Sequence, residues 1–179
     1  GAINQYYFAP TLGASTDGVY RFGGGGNQGT MQIGVNAFEN VLTGATSVQI
    51  GATVAGNGYN SPGVINGNTN ITLNTRNNFT GGLTANRGPQ INIASTHYVI
   101  GSGTLTVNHT SNQSVNIGQG QEGVINAPGI SLWNNVDLVG DMRTAGTNFV
   151  LRGNLSLAPG GVGGTRTIEA TGELGILGL

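Results

Sequence analysis

The sequence predicts an all-β fold, a β-solenoid with about 20 residues per coil. Three observations predict it. An apolar-polar-apolar triplet recurs as Met31-Gln32-Ile33, Val48-Gln49-Ile50, Ile71-Thr72-Leu73, Ile91-Asn92-Ile93, Val115-Asn116-Ile117, Val136-Asp137-Leu138, Leu155-Ser156-Leu157 and Leu174-Gly175-Ile176. Its starts lie 17, 23, 20, 24, 21, 19 and 19 residues apart. Around the triplets the chain alternates with period two, as in Asn70-Ile71-Thr72-Leu73-Asn74 and Thr104-Leu105-Thr106-Val107-Asn108, which puts the apolar residues on one face of a strand. Between the strands stand glycine and asparagine, as in Gly81-Gly82, Gly101-Ser102-Gly103 and Asn134-Asn135, the residues that tolerate the positive φ of tight corners.

Taken in order, residues 1–29 form an N-terminal segment of their own character. Tyr6, Tyr7, Phe8, Tyr20 and Phe22 flank the run Gly23-Gly24-Gly25-Gly26, which is neither a stable helix nor a central strand. An open end of stacked sheets shows apolar side chains and unpaired edges, so an aromatic end reads as a cap or as a subunit contact. Residues 30–179 form the solenoid domain. A second set of strands falls between the triplets at Leu83-Thr84-Ala85, Leu105-Thr106-Val107, Val124-Ile125, Phe149-Val150-Leu151 and Ile168-Glu169-Ala170. Asparagines facing inward at equivalent corners are expected to stack. One short helical stretch is expected over residues 35–42, with Asn36 as its cap and Glu39 three positions on. The competing fold is an antiparallel β-sandwich. It calls for hairpins, and the two-residue Asn-Gly signal occurs only at Asn57-Gly58 and Asn66-Gly67.

Composition narrows the function. The chain has 34 glycines and 22 asparagines among 179 residues, six arginines, no lysine and a net charge of -1. No basic face is available for a phosphate backbone, so a nucleic-acid partner is not expected. The absence of cysteine removes disulfides, thiolate zinc sites and cysteine nucleophiles. No run of 18 apolar residues predicts a transmembrane helix. The start, Gly1-Ala2-Ile3-Asn4, reads as a processed end or an excised boundary and points towards export.

Chemistry-bearing residues are sparse. A polysaccharide-acting enzyme needs carboxylates held together. Asp137 and Asp141 share one face if their strand is unbroken, and Glu122 meets Asp141 if coils 19 residues long stack. Neither His97 nor His109 has a ligand partner nearby in sequence, so no metal site and no cofactor is expected. Trp133 is the sole tryptophan; alternation from Leu132 turns it outward, where it is a candidate glycan contact. Arg87 and Arg152, each before a glycine, read as solubilising corner residues.

The stretch Thr72 to Gly88, with its run Asn77-Asn78-Phe79-Thr80-Gly81-Gly82-Leu83-Thr84, resembles the strand repeat of bacterial autotransporter passenger domains. Gly101 to Val107 keeps only the Gly-x-Leu-x-Val part. The resemblance implies a right-handed β-helix displayed outside the cell, often serving adhesion, and carries over no catalytic residue. The expected function is a non-enzymatic extracellular structural protein, a self-associating surface or filament subunit. Its contact surfaces are expected at Tyr6, Tyr7, Phe8, Tyr20 and Phe22 and at Leu174, Ile176, Leu177 and Leu179, where the sequence finishes on apolar residues without a polar cap. The alternatives are an adhesin fragment that binds glycan or host surface around Trp133, and a polysaccharide-acting spike enzyme.

Overall fold

The computed structural model describes residues 4–7, 9–22, 30–34, 39–51, 70–73, 76–86, 90–93, 99–108, 115–118, 130–145, 148–157, 165–170 and 172–178. Over these residues the protein is all-β. Its strands are short because glycine, asparagine or a bend interrupts every apolar run after a few residues, and β-branched and leucine side chains fill what lies between.

The described strands form three sheets. The first holds seven strands in the order β1 (Asn4–Tyr7), β3 (Thr30–Ile33), β5 (Asn70–Leu73), β7 (Gln90–Ile93), β9 (Val115–Gly118), β12 (Met142–Ala145) and β15 (Ile168–Ala170). The second holds six, in the order β2 (Val19–Phe22), β4 (Ser47–Ile50), β6 (Leu83–Asn86), β8 (Leu105–Asn108), β11 (Val136–Leu138) and β14 (Leu155–Ser156). The third holds β10 (Ile130–Leu132), β13 (Asn148–Leu151) and β16 (Glu173–Ile176). Strands consecutive in the chain belong to different sheets, and every ladder among the described strands is parallel. Parallel neighbours require a crossover, so the hairpins of an antiparallel sandwich have no place in these ladders. The two Asn-Gly signals lie outside the described residues.

Register keeps like with like. In the second sheet Tyr20, Val48, Leu83, Leu105, Val136 and Leu155 form one file, and Phe22, Ile50, Ala85 and Val107 the next, followed by Leu138. Apart from Leu155, all of these are buried. The residues between them, Arg21, Gln49, Thr84, Thr106, Asp137 and Ser156, face the other way. One core gathers the inward residues of both large sheets together with Leu132, Phe149 and Leu151 of the third and Val41, Leu42, Phe79, Val99 and Ile100 of the connecting segments. Each such aliphatic side chain contributes about 1.5–3 kcal/mol on burial.

The pairing steps are wider and less even than the expected coil of about 20 residues. The triplets divide among all three sheets: those at Met31, Ile71, Ile91 and Val115 share the first, those at Val48, Val136 and Leu155 the second, and the one at Leu174 lies in the third. Val48 pairs with Leu83 and Thr30 with Asn70, whereas Val136 pairs with Leu155 and Asn70 with Gln90. Triplet spacing therefore reads the alternation of sheets as well as the pairing step. The expected helix is corrected. Residues 35–38 lie outside the described residues, and over 39–42 the chain bends, with Asn40 at φ 56°, which stops a right-handed helix. Residues 1–29 supply the edge strands of both large sheets, so pairing runs across the boundary at residue 30.

Corners are held by buried amides. Asn77, 4 % exposed, accepts from the Leu42 N–H at 3.0 Å and donates through Nδ2 to the Val99 carbonyl at 2.8 Å. Asn108 Nδ2 donates to Asn86 Oδ1 at 3.0 Å, an asparagine stack of the kind the sequence suggested. The resemblance motif is explained by this packing. Its Phe79 is fully buried, and a Cβ at Gly81 would lie 2.7 Å from the Thr46 carbonyl oxygen. At Gly82, φ is +89° and a Cβ would lie 2.6 Å from the Thr104 oxygen, so both the conformation and the close approach of neighbouring backbone demand glycine.

Candidate functional site

Two surfaces stand out once the core is assigned. The first is the set of strands that ends each sheet on the C-terminal side: β14, β15 and β16. Each pairs on one side and presents its other edge unpaired among the described strands. Ile176 is paired with Leu151, and parallel neighbours in register share a face, so Ile176 points the way that fully buried Leu151 points. It is nevertheless 46 % exposed. Leu157, one residue beyond the Asp137–Ser156 pair and so in line with buried Leu138, is 49 % exposed. Leu177 is 64 % exposed, and Leu174 is partly buried against the core. Leu157, Leu174 and Ile176 occupy inward positions without a further strand to cover them among the described residues, whereas Leu177 stands in the outward file, level with exposed Arg152.

The opposite end is closed differently. Tyr20 and Phe22, expected on a contact surface, are buried in the protein's own core at 4 % and 8 % exposure. Their rings are parallel within 3°, with centroids 6.4 Å apart. The Tyr20 hydroxyl donates to the Leu12 carbonyl at 2.9 Å and accepts from the Thr43 N–H at 3.3 Å, which holds a polar group in a buried position at little cost. These two residues are therefore removed from the self-association set. Tyr7 is half-buried and donates to the Thr11 carbonyl at 2.6 Å. The Tyr6 side chain, Phe8 and Leu179 lie outside the described residues.

The second surface is an edge where connecting segments stack. Asn40 N–H donates to the Arg76 carbonyl at 2.7 Å, Asn78 N–H to the Leu42 carbonyl at 3.2 Å, and Ser102 N–H to the Phe79 carbonyl at 3.1 Å. Asn134 Nδ2 then donates to the carbonyls of Gly101 at 3.1 Å and Gly103 at 2.7 Å, and Leu105 N–H to that of Asn135 at 2.8 Å. Next in line, Arg152 N–H donates to Leu132 at 2.8 Å and Leu177 N–H to Leu151 at 2.8 Å. Thr80, Ser102, Trp133, Arg152 and Leu177 follow one another along this edge, and all are exposed. Trp133 is 51 % exposed, outward as alternation from Leu132 required, and the Arg152 guanidinium lies 5.0 Å over its ring. A cleft of about 350 Å³ opens on the same edge and is lined by Glu39, Arg76, Asn78 and Ser102 among others. Sequence reading missed this cleft, because its residues come from three segments far apart in the chain; the strand-repeat motif marked only the buried half of one of them.

The carboxylates do not assemble as a strand would place them. β11 ends at Leu138, and the Val139 and Gly140 N–H groups both donate to the Val107 carbonyl, at 2.9 and 3.0 Å. The chain thus turns between Asp137 and Asp141 and leads into a different sheet, which corrects their expected common face. Asp137 is half-buried on the outward side of β11, and Asp141 Oδ1 accepts from the Thr167 N–H at 2.8 Å. Glu122, Arg87, His97 and His109 lie outside the described residues. Among the described residues no three His, Asp or Glu side chains come together as metal ligands, and no helix is long and apolar enough to cross a membrane. Comparison with protein-family models, curated proteins and solved structures finds no match.

Proposed function

We propose that the three parallel sheets are the walls of one right-handed β-helix, and that the protein is a non-enzymatic structural subunit displayed outside the cell, which extends by self-association. The hand follows the general preference of parallel crossovers. The observation that carries the function is the exposure of Ile176 and Leu157 in positions that are inward-facing by register. Apolar side chains in such files are stabilised when another strand covers them, and an unpaired edge takes a strand of matching direction. The edge strands β1 and β2 run in the same two sheets as β15 and β14, so a second copy added head to tail continues both ladders. Such a contact does not close on itself and builds a row of subunits. Burial of Tyr20 and Phe22 shifts the weight of this contact from aromatic side chains to the backbone edge.

Sedimentation velocity across a concentration series tests the proposal. The purified chain is expected to shift to larger species as concentration rises, and the exposed substitutions Leu157→Lys and Ile176→Asp together are expected to return it to monomer. A monomer at every concentration, or association unchanged in the double variant, overturns it.

A further inference from the structure

The edge that carries Trp133 has a chemistry of its own. We propose that it is a binding site for a linear oligosaccharide, one sugar ring stacked on Trp133 and the neighbouring sugars lying in the cleft beside Ser102, Asn78 and Glu39. The first support is the way the indole is held. The Arg152 guanidinium lies over the ring, at 5.0 Å from its centroid, and Arg152 and Trp133 stand level, each one residue past the Leu132–Leu151 pair. On the other side of Trp133 the stacked segment is Gly101-Ser102-Gly103, fixed there by Asn134. Ser102 is small and exposed and lines the cleft. Along the edge, Ser102 therefore stands between Trp133 and the rest of the cleft lining, and it brings only a hydroxymethyl group. A flat apolar face beside hydroxyl partners suits a sugar, whose ring presents C–H groups on its faces and hydroxyls on its rim.

The lining supplies the rim partners. Glu39 brings a carboxylate, Arg76 a guanidinium, Asn78 a carboxamide and Ser102 a hydroxyl. Donors and acceptors of both charge signs sit side by side, which fits a neutral ligand whose every hydroxyl both donates and accepts. An apolar ligand would leave these groups desolvated and unpaired. A peptide strand would need free backbone, and here the Asn40, Asn78 and Ser102 N–H groups are already bonded to the adjoining segments. The site is also held in shape. Asn77, locked between the Leu42 N–H and the Val99 carbonyl, fixes Arg76 and Asn78 on either side of it, which lowers the ordering cost of binding. Its size fits as well: about 350 Å³ lies within the range of ligand clefts, roughly 300–1,000 Å³. From Asn40 to Trp133 the edge crosses three inter-strand steps, about 14 Å, long enough for a short oligosaccharide and too long for a single sugar.

This site does not depend on the association proposed above, and running the test on the Leu157→Lys, Ile176→Asp variant keeps the two separate. Trp133 is the sole tryptophan, so its emission reports the site directly. The full chain is titrated with linear hexasaccharides of glucose, of N-acetylglucosamine and of mannose, all neutral. The expected result is a saturable emission change with at least one of them. Glu39→Ala weakens it about tenfold, the loss of one hydrogen bond to a charged group, and Ser102→Tyr, which fills the space before the indole, abolishes it. Both substitutions are at exposed positions, so the urea midpoint stays where it was. A flat emission with all three sugars up to ~10 mM, or an affinity untouched by both substitutions, overturns the proposal.

Discussion

Replacing Asn77 by alanine removes two buried hydrogen bonds with one atom group. The Leu42 N–H loses its acceptor at 3.0 Å and the Val99 carbonyl its donor at 2.8 Å, both in a position 4 % exposed. Each buried group left unsatisfied costs about 1–3 kcal/mol, so the variant should lose about 2–6 kcal/mol. With a urea slope of about 2 kcal/mol/M, the midpoint should fall by roughly 1–3 M while the slope stays constant. Asn77→Asp sharpens the test. It keeps an acceptor for Leu42 but sets an oxygen against the Val99 carbonyl and buries a charge, so at neutral pH it should be at least as destabilising as alanine. Asn78→Ala, on the exposed neighbour, should stay within about 0.5 kcal/mol of the parent. Urea unfolding followed by circular dichroism reads all three. If Asn77→Asp unfolds at the parent's midpoint, the amide is not bridging the two segments and the reasoning fails.

Other perturbations follow from the same packing. Gly82→Ala meets both a φ of +89° and the Thr104 oxygen at 2.6 Å, and should yield little folded protein in an expression and circular dichroism comparison, where Gly13→Ala, with open space around it, should fold normally. Phe79→Ala empties a fully buried ring site and should cost about 3–5 kcal/mol by urea unfolding. Asp17 sits with the Arg21 guanidinium at 2.5 Å and the Ser15 hydroxyl at 2.6 Å, and these hydrogen bonds, Arg21 first, hold its carboxyl well below the usual carboxylate range. A depressed folded pKa contributes stability above the unfolded value near ~4 that is lost as pH falls towards the folded one. Asp17→Asn should therefore differ from the parent at pH 7 and converge on it in strong acid, and a carboxyl titration by NMR with its midpoint near 4 would refute the assignment.

The strand pattern was open to reading because alternation and burial coincide. Val48, Ile50, Leu105, Val107, Val136 and Leu138 face the core as period two dictates, and Gly81, Gly82 and Gly101 fall at corners. Thr72 shows the boundary of that reasoning: it stands between Ile71 and Leu73, on the outward side by alternation, yet is 4 % exposed. Which strand pairs with which was not readable, because the pairing step depends on connecting segments whose length the alternation does not see. The aromatic residues at Tyr20 and Phe22 looked like a surface from composition alone; only register reveals that they stand in the inward files with Val48 and Ile50. Trp133 was readable from its neighbour Leu132, but the cleft beside it joins residues from separate segments and leaves no local mark.

The unequal distance between paired strands has a consequence for how such a chain tolerates change. Thr30 reaches Asn70 across twice the length of chain that separates Asn70 from Gln90, yet Met31, Ile71 and Ile91 stay in one file. Face parity, not the length of the intervening chain, sets the match. Closing a longer excursion adds only a logarithmic entropic cost, about 0.6 kcal/mol for each doubling. Foreign segments grafted between Ile50 and Asn70 should therefore be carried as passengers while the ladder keeps count, so that stability and length can be tuned as separate variables in one molecule.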